Sequence, residues 1–172
     1  LRDGRVLEGS VATISGLATC ATYYVNVRAI DDCGHLGDFC PGNEQTIFTS
    51  APCDPLDPTA PGNLTVVSYD DRISLEWPAN TADCDLWGYR IYYGHQASGP
   101  YDGEDAAQGA SPIDVVAEAV TVGDVCRYDL TALPTCQDYF VIVKALDQCS
   151  PMNESSGSPE GSGSTVCTPC QI

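Results

Sequence analysis

The sequence predicts an all-β protein, an antiparallel two-sheet sandwich, and three observations lead to this prediction. First, the stretches 17–33 and 133–149 are near-copies that match at nine of seventeen positions. Second, every odd-numbered residue from Tyr23 to Cys33 is identical to its counterpart, whereas every even-numbered residue differs. Identity with a period of two is what a β-strand with one packed face produces. Third, the remaining chain alternates short apolar-patterned segments with Gly- and Pro-rich turns, which is typical of antiparallel β proteins.

The repeat also predicts the domain organisation. A chain of 172 residues can bury one full-sized core and part of another. We therefore expect residues 1–53 to be the C-terminal half of one module, residues 54–62 to be a linker, and residues 63–172 to be a complete second module. Four prolines between Pro52 and Pro61 cannot join a sheet interior, so they indicate an extended, stiff spacer.

Each element of the first module is short. The stretch 1–16 predicts one or two strands, and the clearest strand covers 23–30, inside the first copy of the repeat. A turn-rich segment follows, and 45–49 predicts the returning strand of a hairpin.

The second module begins with two strands in 63–77, which surround the polar turn 69–72. A loop at 78–85, a strand at 87–93 and a Gly/Ala/Ser/Pro-rich excursion at 94–112 come next. Periodicity leaves 113–125 open between a strand and a loose helix. The chain then enters the second copy of the repeat, passes a Ser/Gly/Pro-rich loop at 150–163, and ends with a predicted strand at 164–169.

Several motifs of the second module resemble one known family. They are DPTAPGNL at 57–64, SLEW ending at Trp77, GYRIYY at 88–93, a leucine six residues before Tyr139, and YFVIVKA. Together they resemble a fibronectin type III module of a secreted, bacterial multi-modular protein. The resemblance implies an immunoglobulin-like sandwich in which Trp77, Tyr89, Leu133 and Tyr139 form the core, with the Tyr139 hydroxyl bonded back to the main chain. The counterparts in the first copy are Leu17 and Tyr23.

By the same resemblance, residues 1–53 match only strands E, F and G of such a module. The face that carries Tyr23, Val25 and Val27 would then lack its partner sheet, and soluble proteins avoid such exposed apolar areas. We expect the natural polypeptide to continue upstream of Leu1 and to supply that sheet.

Ten cysteines depart from the family pattern and predict an oxidising, extracellular location. Cys20 and Cys33 flank one strand, as do Cys136 and Cys149, and an extended strand of that length is too long for either pair to bond. The residue numbers of Cys20 and Cys53 add up to the same value as those of Cys33 and Cys40, as they do for residues that lie opposite each other in one antiparallel hairpin. This predicts Cys20–Cys53 and Cys33–Cys40 in the first unit. The offset between the two copies of the repeat predicts Cys136–Cys170. The topology implied by the resemblance favours Cys84–Cys149. Cys126 and Cys167 remain by elimination, with other pairings, free thiols or an intermolecular bond left open.

Other candidate chemistry has simpler interpretations. Cys167 and Cys170 have redox-motif spacing but lack a helix N-terminus, and His35 and His95 are isolated, so neither a redox site nor a zinc site is predicted. Asp54 and Asp57 are the best calcium candidates, although their spacing is not that of an EF-hand. Asn63 and Asn153 begin glycosylation sequons. We expect no cofactor and no catalytic residue.

A net charge of −17 disfavours nucleic acid as a partner, and no apolar run reaches membrane-spanning length. The sequence predicts a secreted, non-catalytic structural or adhesive repeat of a surface protein or fibre. Its expected partners are neighbouring modules of the same or another chain, including a homopolymer, or an unidentified protein or glycan. The alternatives are a spacer or ligand-binding accessory module of a secreted enzyme, and a calcium-dependent adhesin.

Overall fold

The computed structural model describes residues 13–18, 21–38, 44–49, 53 and 55–167. The chain divides into two compact units, Leu1–Pro52 and Cys53–Ile172.

The first unit contains an antiparallel hairpin of β1 (Ala21–Val25) and β2 (Gln45–Thr49), in which Tyr23 lies opposite Ile47. Leu17 and Tyr23, predicted as core residues, are only partly buried. Val27, in the same repeated stretch, is 69% exposed, and Ile47, which lies opposite Tyr23, is 46% exposed. The described part of this unit therefore presents a largely uncovered apolar face.

The second unit is a sandwich of two four-stranded sheets in which every pair of neighbouring strands is antiparallel. One sheet has the order β3-β4-β8-β7, and its strands are Thr65–Ser68, Arg72–Pro78, Val125–Thr131 and Thr121–Val122. The other has the order β10-β9-β5-β6, and its strands are Gly161–Ser164, Asp138–Asp147, Leu86–Gly94 and Ile113–Val116. The predicted all-β, immunoglobulin-like sandwich is confirmed.

The segment 113–125, which periodicity left open, contains both kinds of structure. After β6 the chain forms the single helical turn α1 (Ala117–Val120) and then β7. This turn carries the chain from one sheet to the other, and the buried side chain of Val120 anchors it to the core.

The core fills the space between the two sheets. The odd-numbered face of the repeated strand is fully buried here, since Val141, Val143 and Ala145 are each 0% exposed. Trp77 packs edge-on against Tyr89 with ring centroids 5.2 Å apart. Trp77, Tyr89, Leu133 and Tyr139, the four residues predicted as core, are at most 3% exposed. The period-two pattern thus marks the buried face of β9.

The last strand lies earlier in the chain than the predicted 164–169, because β10 uses the glycines of the Ser/Gly-rich segment. A Cβ atom on Gly161 would lie 2.4 Å from Val66 Cγ2, and one on Gly163 would lie 2.6 Å from Ser68 Oγ. Glycine therefore lets β10 approach β3 closely. Upstream of β10, Ser158 and Ser155 accept hydrogen bonds from the N–H groups of Val143 and Ala145, at 3.0 and 2.8 Å. The predicted low-complexity loop covers the edge of β9.

The prediction that the Tyr139 hydroxyl bonds back to the main chain is wrong. In the first unit the N–H of Ala18 donates to the Tyr23 hydroxyl at 2.8 Å. The counterpart of Ala18 is Pro134, which has no N–H to donate. The Tyr139 hydroxyl instead donates to Asp105 Oδ2 at 2.6 Å. This bond ties β9 to the 94–112 excursion, where His95 Nε2 also lies 3.3 Å from the same oxygen.

The pairings predicted for Cys136 and Cys126 in the second unit are wrong. Cys136 pairs with Cys167, where Cys170 was expected. The N–H of Thr165 bonds to Gln137 O at 2.9 Å, so the strand register continues beyond β10 and brings Cys167 beside Cys136. Cys126, assigned to Cys167 by elimination, is a free thiol with 0% exposure. It lies on β8 opposite Trp77, inside the core.

Cys53 pairs with Cys149, so neither Cys20–Cys53 nor Cys84–Cys149 forms. Cys84 is disulfide-bonded as well. Cys33 is free and exposed, so Cys33–Cys40 does not form either. Its hairpin closes at Asp31 and His35, whose main chains bond at 3.0 Å, which places Cys33 inside the turn without a residue directly opposite. Cys20, Cys40, Cys170 and Asp54 lie outside the described residues.

Candidate functional site

A buried carboxylate organises the loop that follows β9. Asp147 is 1% exposed, and its Oδ1 accepts hydrogen bonds from the N–H groups of Cys149 and Asn153, at 3.0 and 2.8 Å. Its Oδ2 accepts a third bond from the Asn153 side-chain amide at 2.7 Å. Because an ionised carboxylate binds N–H donors strongly, this residue holds Cys149 in one position.

The counterpart of Asp147 in the first unit performs the same local role. Asp31 Oδ1 accepts from the N–H groups of Cys33 and His35, at 2.9 and 2.7 Å, and Oδ2 lies 2.9 Å from His35 Nδ1. These hydrogen bonds lower the pKa of Asp31, with the main-chain bond from His35 as the largest cause. His35 is therefore an exposed residue that also takes part in this turn.

The segment 53–61, called the leading segment below, is fixed to one end of the second sandwich. Cys53 forms its disulfide with Cys149, and the N–H of Thr59 donates to Asp83 Oδ2 at 2.7 Å. The Asn80 amide bridges the two, since it donates to Asp83 Oδ2 at 2.6 Å and to Thr59 O at 3.2 Å. Pro58 and Pro61 are buried. The described part of the segment predicted as a stiff linker therefore packs against the second unit.

The charge of Asp83 is stabilised in this position. Burial opposes the ionised carboxylate, but the hydrogen bonds from Asn80 and Thr59 outweigh burial and lower the pKa of Asp83. We name this region the stapled pole: the leading segment, the loop 79–85 and the loop 147–154. It joins three separate stretches of chain through one disulfide and two buried or half-buried aspartates.

Among the described residues of the stapled pole, one cluster of potential metal ligands is closed to a transition metal in this oxidised form. The ligand atoms of Cys53, Asp147 and Cys149 lie within 4.8 Å of one another. However, the two sulfur atoms are bonded to each other, so neither offers the thiolate that a transition metal requires. Of the two calcium candidates, Asp57 is exposed.

A second polar cluster lies on the outer face of the β5–β9 sheet. Glu154 accepts from Tyr92 OH at 2.7 Å and from Lys144 Nζ at 3.0 Å, and Arg90 Nη1 lies 3.4 Å away. Burial opposes the charge of Glu154, but these partners outweigh it and lower its pKa. Arg90 also binds Asp114 through two nitrogens, at 2.6 and 2.8 Å. The cluster joins β6, β5, β9 and the stapled pole across one face.

All four lysine and arginine residues of the second unit are paired with carboxylates. The other two pairs are Arg72 with Asp129 at 3.6 Å and Arg127 with Glu76 at 2.8 Å. Since the whole chain carries a net charge of −17, the acidic excess dominates the surface that remains. This surface repels polyanions.

A shallow groove of about 650 Å³ lies along the edge of the second sandwich, between β5–β6 and β8. Its walls combine apolar and aromatic side chains, among them Trp87, Val115 and Tyr128, with charged residues at Asp114, Arg127 and Asp129. Trp87 and Tyr128 are half-buried. Sequence reasoning missed this groove, because nothing in the period-two pattern reveals which sheet edges stay open.

No family model matches the chain. Chitinase A1 of Niallia circulans is 36% identical over 91 residues, which is 51% of this chain and 13% of that protein. Two four-stranded antiparallel sheets, with the buried Trp77 and Tyr89 between them, match the sandwich that the sequence motifs predicted. The second unit has a fibronectin type III-like fold.

Solved structures that the chain is similar to include the fn3 domain of the human collagen alpha-1(XX) chain, with 17% identity and a TM-score of 0.48 over 71% of this chain and 98% of that one. Another is the beta-1,2-glucanase from Parabacteroides distasonis, with 21% identity and a TM-score of 0.49 over 77% of this chain and 15% of that one. Among the described residues, no helix has the length and apolar character needed to span a membrane.

Proposed function

We propose that this chain is a non-catalytic structural segment of an extracellular multi-modular protein. In this proposal residues 1–52 are the C-terminal half of one fibronectin type III-like module, and the second unit, which begins at Cys53, is the next module. The Cys53–Cys149 disulfide is the observation that carries the proposal. It fastens the segment that leads into a module to the body of that module, which is what a spacer needs in order to keep a defined direction.

The extracellular location is supported by the oxidised cysteines. Cys53–Cys149 and Cys136–Cys167 are disulfides, and such bonds persist mainly outside the cytosol. The non-catalytic role is supported by the use of the buried polar groups. Asp147, Ser155, Ser158 and Thr165 all bind main-chain groups and hold loops against β9. Their hydrogen-bonding capacity is used to support the fold.

Limited proteolysis tests the structural role. The double variant Cys53→Ser, Cys149→Ser should release the leading segment and speed its cleavage by a broad-specificity protease several-fold at 25 °C. The matched control, Cys136→Ser with Cys167→Ser, should leave the cleavage rate within 53–61 unchanged. Equal protection of the leading segment in both variants would contradict a stapling role. Turnover of any polysaccharide by the purified chain would contradict the non-catalytic role.

The groove supports a second candidate, a ligand-binding accessory module of a secreted enzyme. Exposed parts of Trp87 and Tyr128 offer ring surface beside charged groups, a combination common in ligand sites. The likeness to part of a chitinase makes chitin the first ligand to test. Co-sedimentation with insoluble chitin should retain the wild-type chain and release Trp87→Ala. Tyr24→Ala, at a side chain that is 68% exposed in the first unit, is the control. Wild-type chain that stays in the supernatant would remove this candidate.

A further inference from the structure

Cys33 and Cys149 occupy equivalent turns, but only one of them is bonded. Each cysteine donates its N–H to the aspartate two residues earlier, at 2.9 Å for Cys33 and 3.0 Å for Cys149. The same aspartate then accepts from a second main-chain N–H, that of His35 or Asn153. The two turns differ by two residues in length and are otherwise anchored alike. Cys149 is nevertheless 7% exposed and bonded to Cys53, whereas Cys33 is free and exposed.

The apolar face beside Cys33 shows the same contrast. Val27 is 69% exposed, and its counterpart Val143 is 0% exposed beneath the β3-β4-β8 sheet. In the second unit, the stretch that supplies the covering sheet begins with the leading segment that carries Cys53. In the second unit, the single stretch 53–132 both supplies the disulfide partner of the turn cysteine and covers the apolar face. A stretch equivalent to 53–132 would therefore do both for the first unit.

We propose that Cys33 is the attachment site for the cysteine of a leading segment equivalent to 53–61, which belongs to the stretch that completes the first module. This inference rests on the proposed modular function. In every module of the array, the cysteine of the leading segment bonds the cysteine of the turn after the repeated strand. The rule explains why the tip cysteine recurs in both copies although its partner lies far away in sequence.

The bond forms by oxidation of two thiols. Cys33 and its partner lose two protons and two electrons, and an S–S bond forms between them. The electrons pass by thiol–disulfide exchange to an oxidised dithiol of the secretory compartment, whose own disulfide is reduced to two thiols. Because Cys33 is exposed, its sulfur can be reached by the oxidant, so that the mixed disulfide of the exchange can form.

The covering stretch of the first module must differ from 53–132 at one place. Gln45 and Ile47 stand in the register positions that Gly161 and Gly163 occupy opposite the repeated strand. β3 lies so close to those glycines that a Cβ atom would not fit at either position. A first strand that covers Gln45 and Ile47 therefore needs side chains smaller than Val66, or a larger separation from β2.

A chimera tests the proposal directly. Residues 53–132 are joined in front of Leu17, so that Leu17 follows them as Leu133 does in the second unit, and Gln45→Gly with Ile47→Gly makes room for the added first strand. Peptide mapping after thiol alkylation should find Cys33 joined to the added copy of Cys53. The same chimera with Ser in place of the added copy of Cys53 should gain one alkylated thiol per chain, at Cys33. Alkylated Cys33 in a chimera whose Tyr23 and Val25 amides are protected from hydrogen exchange would overturn the proposal.

The natural polypeptide gives a second measurement that does not depend on folding of the chimera. Cys53–Cys149, with a sequence separation of 96, is the internal standard in its digest. The proposal expects Cys33 joined to a cysteine about as far upstream. Cys33 found alkylated, or joined elsewhere, while Cys53–Cys149 is intact would overturn the proposal and leave the stapling function standing. Equal protection of the leading segment in both cysteine variants of the proteolysis experiment would instead count against the proposed function.

Discussion

The hydroxyl of Tyr139 donates a hydrogen bond to the Asp105 carboxylate at 2.6 Å, whereas its counterpart Tyr23 accepts one from the main-chain N–H of Ala18. A single difference between the two copies accounts for this change, because Pro134 replaces Ala18 and removes the donor. Burial and the bond to Asp105 together raise the pKa of Tyr139. The second unit thus uses a ring position that both copies share for a different contact, with the 94–112 excursion.

Loss of the Tyr139 hydroxyl should destabilise the second unit. Tyr139→Phe leaves a half-buried carboxylate without its strongest partner, and hydrogen bonds to charged groups contribute about 1.5–3 kcal/mol. We expect a loss of this size in the free energy of unfolding, measured by urea denaturation with tryptophan fluorescence. Tyr128→Phe, which removes a hydroxyl from a half-buried ring on β8, is the control, with an expected change below about 0.5 kcal/mol. Equal effects of the two substitutions would refute the special role of the Tyr139–Asp105 bond.

Asp147 should be among the most sensitive positions of the stapled pole. Asp147→Ala leaves two main-chain N–H groups and the Asn153 amide without their acceptor. Since each buried unpaired group costs about 1–3 kcal/mol, the expected loss is about 3 kcal/mol or more. The control is Asp31→Ala, which removes the equivalent exposed carboxylate from the first unit and should leave the midpoint of tryptophan-detected unfolding unchanged. A loss below about 1 kcal/mol for Asp147→Ala would show that the loop does not depend on this anchor.

The two described disulfides should differ in their contributions to stability. Cys53–Cys149 closes a loop with a sequence separation of 96, and Cys136–Cys167 closes one of 31. In the chain-entropy model these loops correspond to about 4.7 and about 3.7 kcal/mol. Paired Cys→Ser variants compared by urea denaturation should show the larger loss for the first pair. The reverse order would mean that native contacts of the leading segment hold it in place without the disulfide.

Acid should weaken the stapled pole before it weakens the core. The folded-state pKa values of Asp83 and Glu154 are both lowered, so their contribution to stability is present above their unfolded pKa values of about 4. It is lost as pH falls through the lower folded values. Thermal melting between pH 6 and pH 2 should therefore show a falling Tm below about pH 4.5. The slope should be shallower in Asp83→Asn, and an unchanged slope in this variant would exclude Asp83 as a source.

Gly88 is required by the close approach of β5 and β6. A Cβ atom there would lie 2.1 Å from Val115 O, a main-chain atom that cannot move aside as a side chain can. We expect Gly88→Ala to cost about 2–3 kcal/mol, as overpacked sites do, and to separate β6 from its sheet. Hydrogen exchange of the Val115 and Val116 amides reports that separation. Gly62→Ala is the control, since no atom lies within 4 Å of its Cβ position.

The sequence was sufficient for the elements whose patterns are local. Alternation along a strand needs no knowledge of distant residues, so the buried face of β9 and the core positions Trp77, Tyr89, Leu133 and Tyr139 could be predicted. The glycine-rich β10 could not, because glycine is a poor strand former unless another strand lies against it, as β3 does here. The groove at Trp87 could not be predicted from the sequence for a similar reason. An open edge depends on how two sheets are placed, which alternation within one strand does not encode.

By itself, the sequence determined the all-β class, the duplicated strand and its packed face, because side chains that alternate across a strand carry that information along the chain. Only the tertiary structure decided how the cysteines and loops are joined. Cys149 bonds Cys53, Cys136 bonds Cys167 and Cys33 is free because these outcomes depend on strand register and on the path of the leading segment. Disulfide geometry requires sulfur atoms to meet in space, and spacing along the chain does not specify that meeting.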